Sequence, residues 1–251
     1  MHRFVANQLE NNYFILAEDD VKQIKKVLRL RHQTQIICIY NGVHYLTILE
    51  VQTPQKYLFK LIKKLQQNHE SPIKVRLIAG LIRNAKWDYL LQKATELGVN
   101  EITPFQFSRC VVQLKGENNF KKIERWKKIC KEAAEQSYRN QVPLVHDVES
   151  DLKVLQQYQS DVNLVCYENV AETLSIKQFL QQDFKTITVV IGPEGGFTPH
   201  EIAVLSSYQY YPVSLGQRIL RAETAPIALL AMIMYEKELI GEGKDDKSSI
   251  D

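Results

Sequence analysis

At 251 residues, 45% hydrophobic and 24% charged, the chain has enough apolar material for one large domain or for a small domain beside a medium one, which argues against a disordered protein. A net charge of +3 permits a polyanionic partner without requiring one, so any nucleic-acid site must arise from local clustering of cations. Cys38, Cys110, Cys130 and Cys166 stand far apart with no CxxC pair, which argues against a zinc site or a disulfide framework; no metal is expected, and reduced thiols suit the cytoplasm.

The opening MHRFVANQLE lacks the apolar core of a secretion signal, and no run of about 18 apolar residues suggests a membrane span, so a soluble cytoplasmic protein is expected. Residues 13–16, 36–40, 45–49 and 57–62 are short runs of strand formers. Asn41-Gly42 supplies the positive φ angles of a type I′ turn and predicts a hairpin. Asp19 or Asp20 can cap a short helix with Ile24, Val27 and Leu28 on one face, and a compact barrel with one helix is the natural way to bury these elements. The polar stretch at residues 65–72, ending in Pro72, reads as a linker, which places a first domain at residues 1–70 and a second at 71–240.

In the second domain, residues 75–81 read as a strand. Trp87, Leu90, Leu91, Ala94 and Leu97 then mark one helix face, with Gly98 at its C-terminal cap. A long helix is predicted over 120–138, with Phe120, Ile123, Cys130 and Ala134 inward. Lys121, Arg125 and Lys128 form a solvated stripe on it, interrupted by Glu124 and Glu132. Residues 162–167 and 186–191 are apolar enough to be strands covered on both faces, which implies a parallel sheet and an α/β fold. The last helix, 226–239, is apolar almost all round and needs burial by its own domain or by another subunit. The polar tail 241–251 is not expected to hold fixed structure.

Two segments carry chemistry. Gly192-Pro193-Glu194-Gly195-Gly196-Phe197 follows a buried strand and leaves backbone open to close approach, and Thr198, Pro199 and Glu201 then form a complete capping box. It matches neither the dinucleotide fingerprint nor a phosphate P-loop; taken alone, an ordinary glycine-rich turn fits it equally well. The second segment, Leu215-Gly216-Gln217-Arg218-Ile219-Leu220-Arg221-Ala222-Glu223-Thr224-Ala225-Pro226, crowds charge into one loop. Taken alone it reads first as Thr224 and Glu223 capping the final helix while Arg221 pairs with a carboxylate.

Together, and in this order, the two segments resemble the cofactor loops of the bacterial 16S ribosomal RNA uridine-N3 methyltransferases (RsmE), of the SPOUT class, whose hallmark is GPEGG followed by LG.RILR.ETA. The resemblance continues in Gln92-Lys93-Ala94-Thr95-Glu96-Leu97-Gly98-Val99, in Glu124-Arg125-Trp126, in residues 132–139 and in Val27-Leu28-Arg29, so it spans the chain apart from its tail. Gln33-Thr34 stand where the family pattern has glycine-aspartate, and Cys110 follows Arg109 where serine is usual. The resemblance implies a PUA-like RNA-binding barrel, then a SPOUT-type parallel sheet with a C-terminal trefoil knot, active as a homodimer. The reaction it implies moves the methyl group of S-adenosyl-L-methionine to N3 of a uridine in the decoding region of the small ribosomal subunit.

On that basis the cofactor-binding residues are Tyr167, Ile191, Gly192, Pro193, Glu194, Gly195, Gly196, Leu215, Gly216, Arg218, Ile219, Leu220 and Ala225, with Ile191, Leu215, Ile219 and Leu220 as apolar walls for the adenine. The N3 proton must leave and charge on the flanking carbonyls must be stabilised, which makes Arg221, Glu223, Arg109 and Glu194 the catalytic candidates. Arg3 and Arg29 in the barrel, with Lys93 and Arg139, are the candidates for positioning RNA. A SPOUT enzyme acting on ribose 2′-oxygen or on transfer RNA, and a non-catalytic RNA-binding assembly factor, are the alternatives.

Overall fold

The amino-terminal strands close on themselves because each turns an apolar row inward. In the computed structural model, which describes residues 1–53, 56–114, 118–167 and 174–238, β1 (Arg3–Glu10), β2 (Tyr13–Leu16), β3 (Gln35–Tyr40), β4 (Val43–Gln52) and β5 (Tyr57–Lys64) form a closed barrel in the order β1-β2-β5-β4-β3. β1 runs parallel to β3, and the other pairs are antiparallel. Asn41 at φ 49° and Gly42 at φ 75° make the expected hairpin turn, with Tyr40 opposite Val43. Phe4, Phe14, Ile24, Ile36, Leu49 and Phe59 fill the barrel.

Between β2 and β3 lies α1 (Glu18–Gln23), continued by a π-helical turn, Ile24–Leu28. Neither aspartate caps α1. Ala17 stands at the N-cap, and Asp20 is instead buried in an ion pair with Lys131. The wider π turn carries Ile24 into the core and leaves Val27 exposed, so the expected single face of Ile24, Val27 and Leu28 is broken. β1 has no counterpart in the sequence reading, because only Phe4 and Ala6 of its eight residues keep a buried alternation.

The second sheet joins β6 (Lys74–Gly80), β7 (Glu101–Phe105), β8 (Leu144–Val145), β9 (Val162–Cys166), β10 (Leu174–Ser175), β11 (Thr186–Ile191) and β12 (Tyr211–Ser214) in the order β10-β12-β9-β11-β6-β7-β8. All its pairings are parallel. Its helices are α2 (Asn84–Glu96), α3 (Asn118–Gln136), α4 (Ile176–Leu180), α5 (Pro199–Ser207) and α6 (Thr224–Glu238). A 3-10 helix, Leu152–Tyr158, precedes β9. The central strands β6, β9 and β11 are buried along nearly their whole length, as strands covered on both faces must be. Trp87, Leu90, Leu91 and Ala94 form the buried face of α2, and Gly98 follows it at φ +86°. In α3, Ile123, Cys130 and Ala134 are buried as expected, but Phe120, in the first turn, is exposed.

The chain divides into two compact units, one comprising Met1–Glu70 with Lys131–Val142 and the other Ser71–Cys130 with Pro143–Asp251. The end of α3 and the turn after it thus belong with the barrel residues, which a division of the sequence at residue 70 does not convey. Within residues 65–72, expected as a linker, the His69 N–H donates to the Asn140 side chain at 2.8 Å and the Gln67 carbonyl accepts from that side chain at 2.9 Å. Among the described residues no helix is long and apolar enough to cross a membrane. The tail 241–251 lies outside the described residues.

Candidate active site

In a parallel sheet all strands deliver their following loops to one edge, and that edge is where ligands bind. β12, β9 and β11 are neighbours, and the segments that follow them, namely Cys166 with Tyr167, residues 191–197 and residues 214–223, meet around a cavity of about 710 Å³. Its wall contains every residue assigned to the cofactor: Tyr167, the loop from Ile191 through Gly196, then Leu215, Gly216, Arg218, Ile219, Leu220 and Ala225. The catalytic candidates Arg109, Glu194, Arg221 and Glu223 line the same cavity.

The glycine loop is fixed from both ends. Thr198 caps α5 and Glu201 returns the capping box, with Pro199 in the first turn, as the sequence predicts. Glu201 also reaches outside its helix and accepts the Ser108 N–H at 2.8 Å. Burial opposes its ionisation, yet the Thr198 and Ser108 donors outweigh burial and hold the carboxyl below the usual carboxylate range. Arg109, next in the chain to Ser108, donates to the carbonyls of Gly195 at 3.3 Å and Phe197 at 3.0 Å. A β-carbon at Gly195 would stand 2.8 Å from the Arg109 Cβ and 2.9 Å from its carbonyl oxygen, so the approach of these two segments depends on glycine. Arg109 therefore braces the loop.

Glu223 departs from the local reading. Its partner is Lys86, at the start of α2, with Nζ 3.0 Å from Oε1 and side-chain exposures of 34% and 14%. Burial would raise the Glu223 carboxyl, but its own backbone N–H, Lys86 and Arg221 together bring it below the ordinary range. Arg221, expected to pair with a carboxylate, has no ion pair among the described residues and is exposed; its carbonyl accepts the N–H groups of Thr224 and Ala225 as α6 begins. Glu194 accepts the Arg83 N–H at 3.4 Å. Lys86 is the residue that sequence reasoning missed: a lone lysine on an amphipathic helix looks like any solvated charge, and its partner lies 137 residues away. Burial pushes the Cys166 thiol, also on the cavity wall, up to about 12, so it stays neutral.

The RNA candidates separate. Arg29 ends the π turn at φ 50°, exposed. Arg3 places its guanidinium over the Tyr138 ring, 3.4 Å from its centre. Lys93 is held by Glu96 at 2.8 Å on the same helix. Arg139 is corrected: it is 3% exposed and grips both carboxylate oxygens of Glu70, at 2.6 and 3.3 Å, so its charge is spent inside the fold.

Comparison with known proteins gives this geometry a family. Residues 69–234 match the RNA methyltransferase domain model. The ribosomal RNA small subunit methyltransferase E of Bacillus subtilis is 39% identical over 234 residues, covering 90% of this chain and 91% of that protein. The chain belongs to this methyltransferase family. The methyltransferase E of Mesomycoplasma hyopneumoniae is 34% identical over 92% of this chain and 97% of its own. The crystal structure of methyltransferase E from Neisseria gonorrhoeae, solved bound to S-adenosyl methionine, has a TM-score of 0.83 at 30% identity and covers 93% of this chain and 97% of that one. Membership in the methyltransferase E family thus extends across the barrel as well as the sheet.

Proposed function

We propose that this protein transfers the methyl group of S-adenosylmethionine to N3 of a uridine in 16S ribosomal RNA, acting in the cytoplasm as a homodimer on the small ribosomal subunit or its precursor. The observation that carries this reading is the convergence of the loops after β11 and β12 on one cavity, with Arg109, Glu194, Arg221 and Glu223 on its wall. A volume of about 710 Å³ suits a nucleoside-sized ligand, and glycine-rich backbone offers donors and acceptors at close range. Residues 191–197 and 214–221 would hold S-adenosylmethionine, as the structure bound to it from the gonococcal relative supports.

Bound there, S-adenosylmethionine supplies an electrophilic methyl group. The chain's own residues must orient the uracil and deal with its proton. N3 carries a weakly acidic imide hydrogen, and Glu194, which has no ion pair among the described residues, is the carboxylate to take it. Arg221, likewise unpaired there, stabilises the charge left on the flanking carbonyl oxygens. Glu223 is committed to Lys86 and acts by orienting that edge of the cavity; Arg109 keeps the glycine loop in place. N3 lies on the Watson–Crick edge, so the target uridine must be unpaired when it reacts. Arg3, Arg29 and Lys93 position the RNA.

The subunit contact belongs to α6. Pro226, Leu229, Leu230 and Ile233 are buried within the protein, while Met232 and Tyr235 stand exposed on the other side of a helix that has no polar face until its last turn. The knotted chain path is part of the same proposal, supported by the return of β12 to the far side of β9 after β11 has been laid down.

The test uses small ribosomal subunits from a strain lacking the gene, incubated with the purified protein and S-adenosylmethionine, followed by nucleoside analysis. 3-Methyluridine in 16S RNA is the expected product. A ribose-methylated nucleoside, or methylation of transfer RNA only, would replace this reading by another SPOUT activity, and failure to bind S-adenosylmethionine would leave an assembly factor.

A further inference from the structure

The end of α3, within the first unit, holds a residue that its backbone does not favour. Arg139 donates its N–H to the Ala134 carbonyl at 3.0 Å, closing the helix around Tyr138 at φ +64°. α2 ends by the same device, with Val99 N–H on the Ala94 carbonyl at 3.1 Å and Gly98 between at φ +86°. That position is left-handed, where a β-carbon is crowded and glycine is the usual occupant. At α3 it carries a tyrosine that is 46% exposed, and its hydroxyl has no hydrogen-bond partner among the described residues. An exposed aromatic ring held in an unfavourable backbone conformation points to a use for the ring itself.

Its neighbour supports that use. The Arg3 guanidinium carbon lies over the Tyr138 ring, 3.4 Å from its centre, a cation–π contact. Among the described residues no carboxylate pairs with Arg3; its Nε is buried without a partner, and one terminal nitrogen makes a long contact of 3.4 Å to the Met1 carbonyl. Among the described residues the Tyr138 ring is thus its charge's partner, with no carboxylate beside it. Both mounts are rigid. The turn after Tyr138 is locked by Glu70, whose carboxylate accepts the N–H groups of Asn140 at 2.8 Å and Gln141 at 3.0 Å. The Asn140 side chain also donates to the Gly42 carbonyl at 2.9 Å. Arg3 belongs to β1, which pairs with β3 and whose Val5 N–H donates to Glu135 at 2.8 Å.

We propose that Tyr138 and Arg3 form a preorganised stacking platform for one unpaired base of bound RNA, with the Arg3 N–H groups directed to an adjacent phosphate. Flat aromatic and guanidinium surfaces are what single-stranded RNA stacks upon, and every base has a face to offer, so the platform recognises strandedness rather than sequence. The inference rests on the RNA methyltransferase reading above and adds to it a contact made by residues outside the cavity.

The test compares Tyr138→Gly, Tyr138→Phe and Arg3→Ala with the wild-type protein for binding of a single-stranded RNA oligonucleotide carrying 2-aminopurine. Methylation of small ribosomal subunits by the wild-type protein serves as the control for function. Tyr138→Gly relieves the backbone and should melt at or above the wild-type temperature, so a binding loss cannot be assigned to unfolding. It should bind about tenfold more weakly, lose the fluorescence quenching that stacking produces, and keep the wild-type salt dependence. Tyr138→Phe should retain affinity and quenching. Arg3→Ala should lose affinity and about 0.7 of a unit of salt slope, as for one phosphate contact on a single strand. If the wild-type protein methylates small subunits while Tyr138→Gly binds the oligonucleotide as tightly and quenches as fully, the platform is wrong and the function stands. If the wild-type protein neither binds RNA nor methylates subunits, the reading on which the platform rests falls with it.

Discussion

Lys86→Met isolates the Lys86–Glu223 ion pair in the cavity wall. The substitution keeps most of the lysine's apolar stem and removes the ammonium that lies 3.0 Å from the Glu223 carboxylate. Exposed pairs contribute about 0.2–1 kcal/mol and breaking fully buried ones costs about 3–5 kcal/mol, so a pair with exposures of 34% and 14% should cost about 1–2 kcal/mol. For a protein of this size that corresponds to a fall in melting temperature of roughly 2–8 °C. The pH dependence is the sharper readout. Glu223 is held below its ordinary value in the folded protein, so its contribution is fully present above the unfolded carboxylate value and is lost as pH falls through the depressed one. In Lys86→Met, burial is opposed only by the backbone N–H and Arg221, and the carboxyl moves up. The melting gap between the two proteins should therefore be widest near neutral pH and close in acid. Differential scanning calorimetry across that range measures it; a gap of the same size at both ends, or no gap, would refute the reasoning.

Other substitutions test other parts of the account. Gly195→Val forces a branched side chain against the Arg109 backbone and should weaken S-adenosylmethionine binding at least about tenfold by equilibrium dialysis; wild-type affinity in a folded variant would count against the cavity as the cofactor site. Glu201→Gln turns an amide toward N–H donors that now meet a carboxylate and should cost about 1.5–3 kcal/mol in urea unfolding; an unchanged midpoint would mean the capping box does not hold the loop. Met232→Glu places a charge on the exposed face of α6 and should give a monomer by light scattering, while a monomeric wild-type protein would remove the argument for that interface. Arg29→Ala should weaken RNA binding and leave S-adenosylmethionine affinity unchanged, whereas Arg221→Ala should lower single-turnover rate far more than RNA affinity; equal losses in both would show that binding and chemistry are not divided between these two arginines.

What the sequence disclosed was whatever its residues decide locally. The Thr198 to Glu201 capping box, the Asn41-Gly42 hairpin and the glycine after α2 each satisfy their own backbone within a few residues, and all three stand as read. The glycine-rich segment was legible because it follows β11, a strand apolar enough to be central; β12, before the second segment, has one buried residue, and only the joint pattern of the two segments pointed to a family. The losses are tertiary. Arg139 resembles a phosphate ligand until Glu70, distant in sequence, is brought against it. Phe120 fits the apolar period of α3 but lies in its first turn and is exposed. Periodicity places Val27 beside Ile24 only for an α-helix, and the chain makes a π turn there that leaves Val27 exposed. Lys86 could not be singled out, since its role exists only beside Glu223.

The central claim is that this cavity methylates N3 of a uridine in small-subunit RNA. Mass-spectrometric mapping of 16S RNA, from subunits lacking the modification and incubated with S-adenosylmethionine plus either the wild-type protein or Gly195→Val, tests it most directly. One 3-methyluridine within the decoding region, present with the wild-type protein and absent with the variant, is the predicted result. A methyl group at another position of the nucleotide, or equal modification by the variant, would contradict the account.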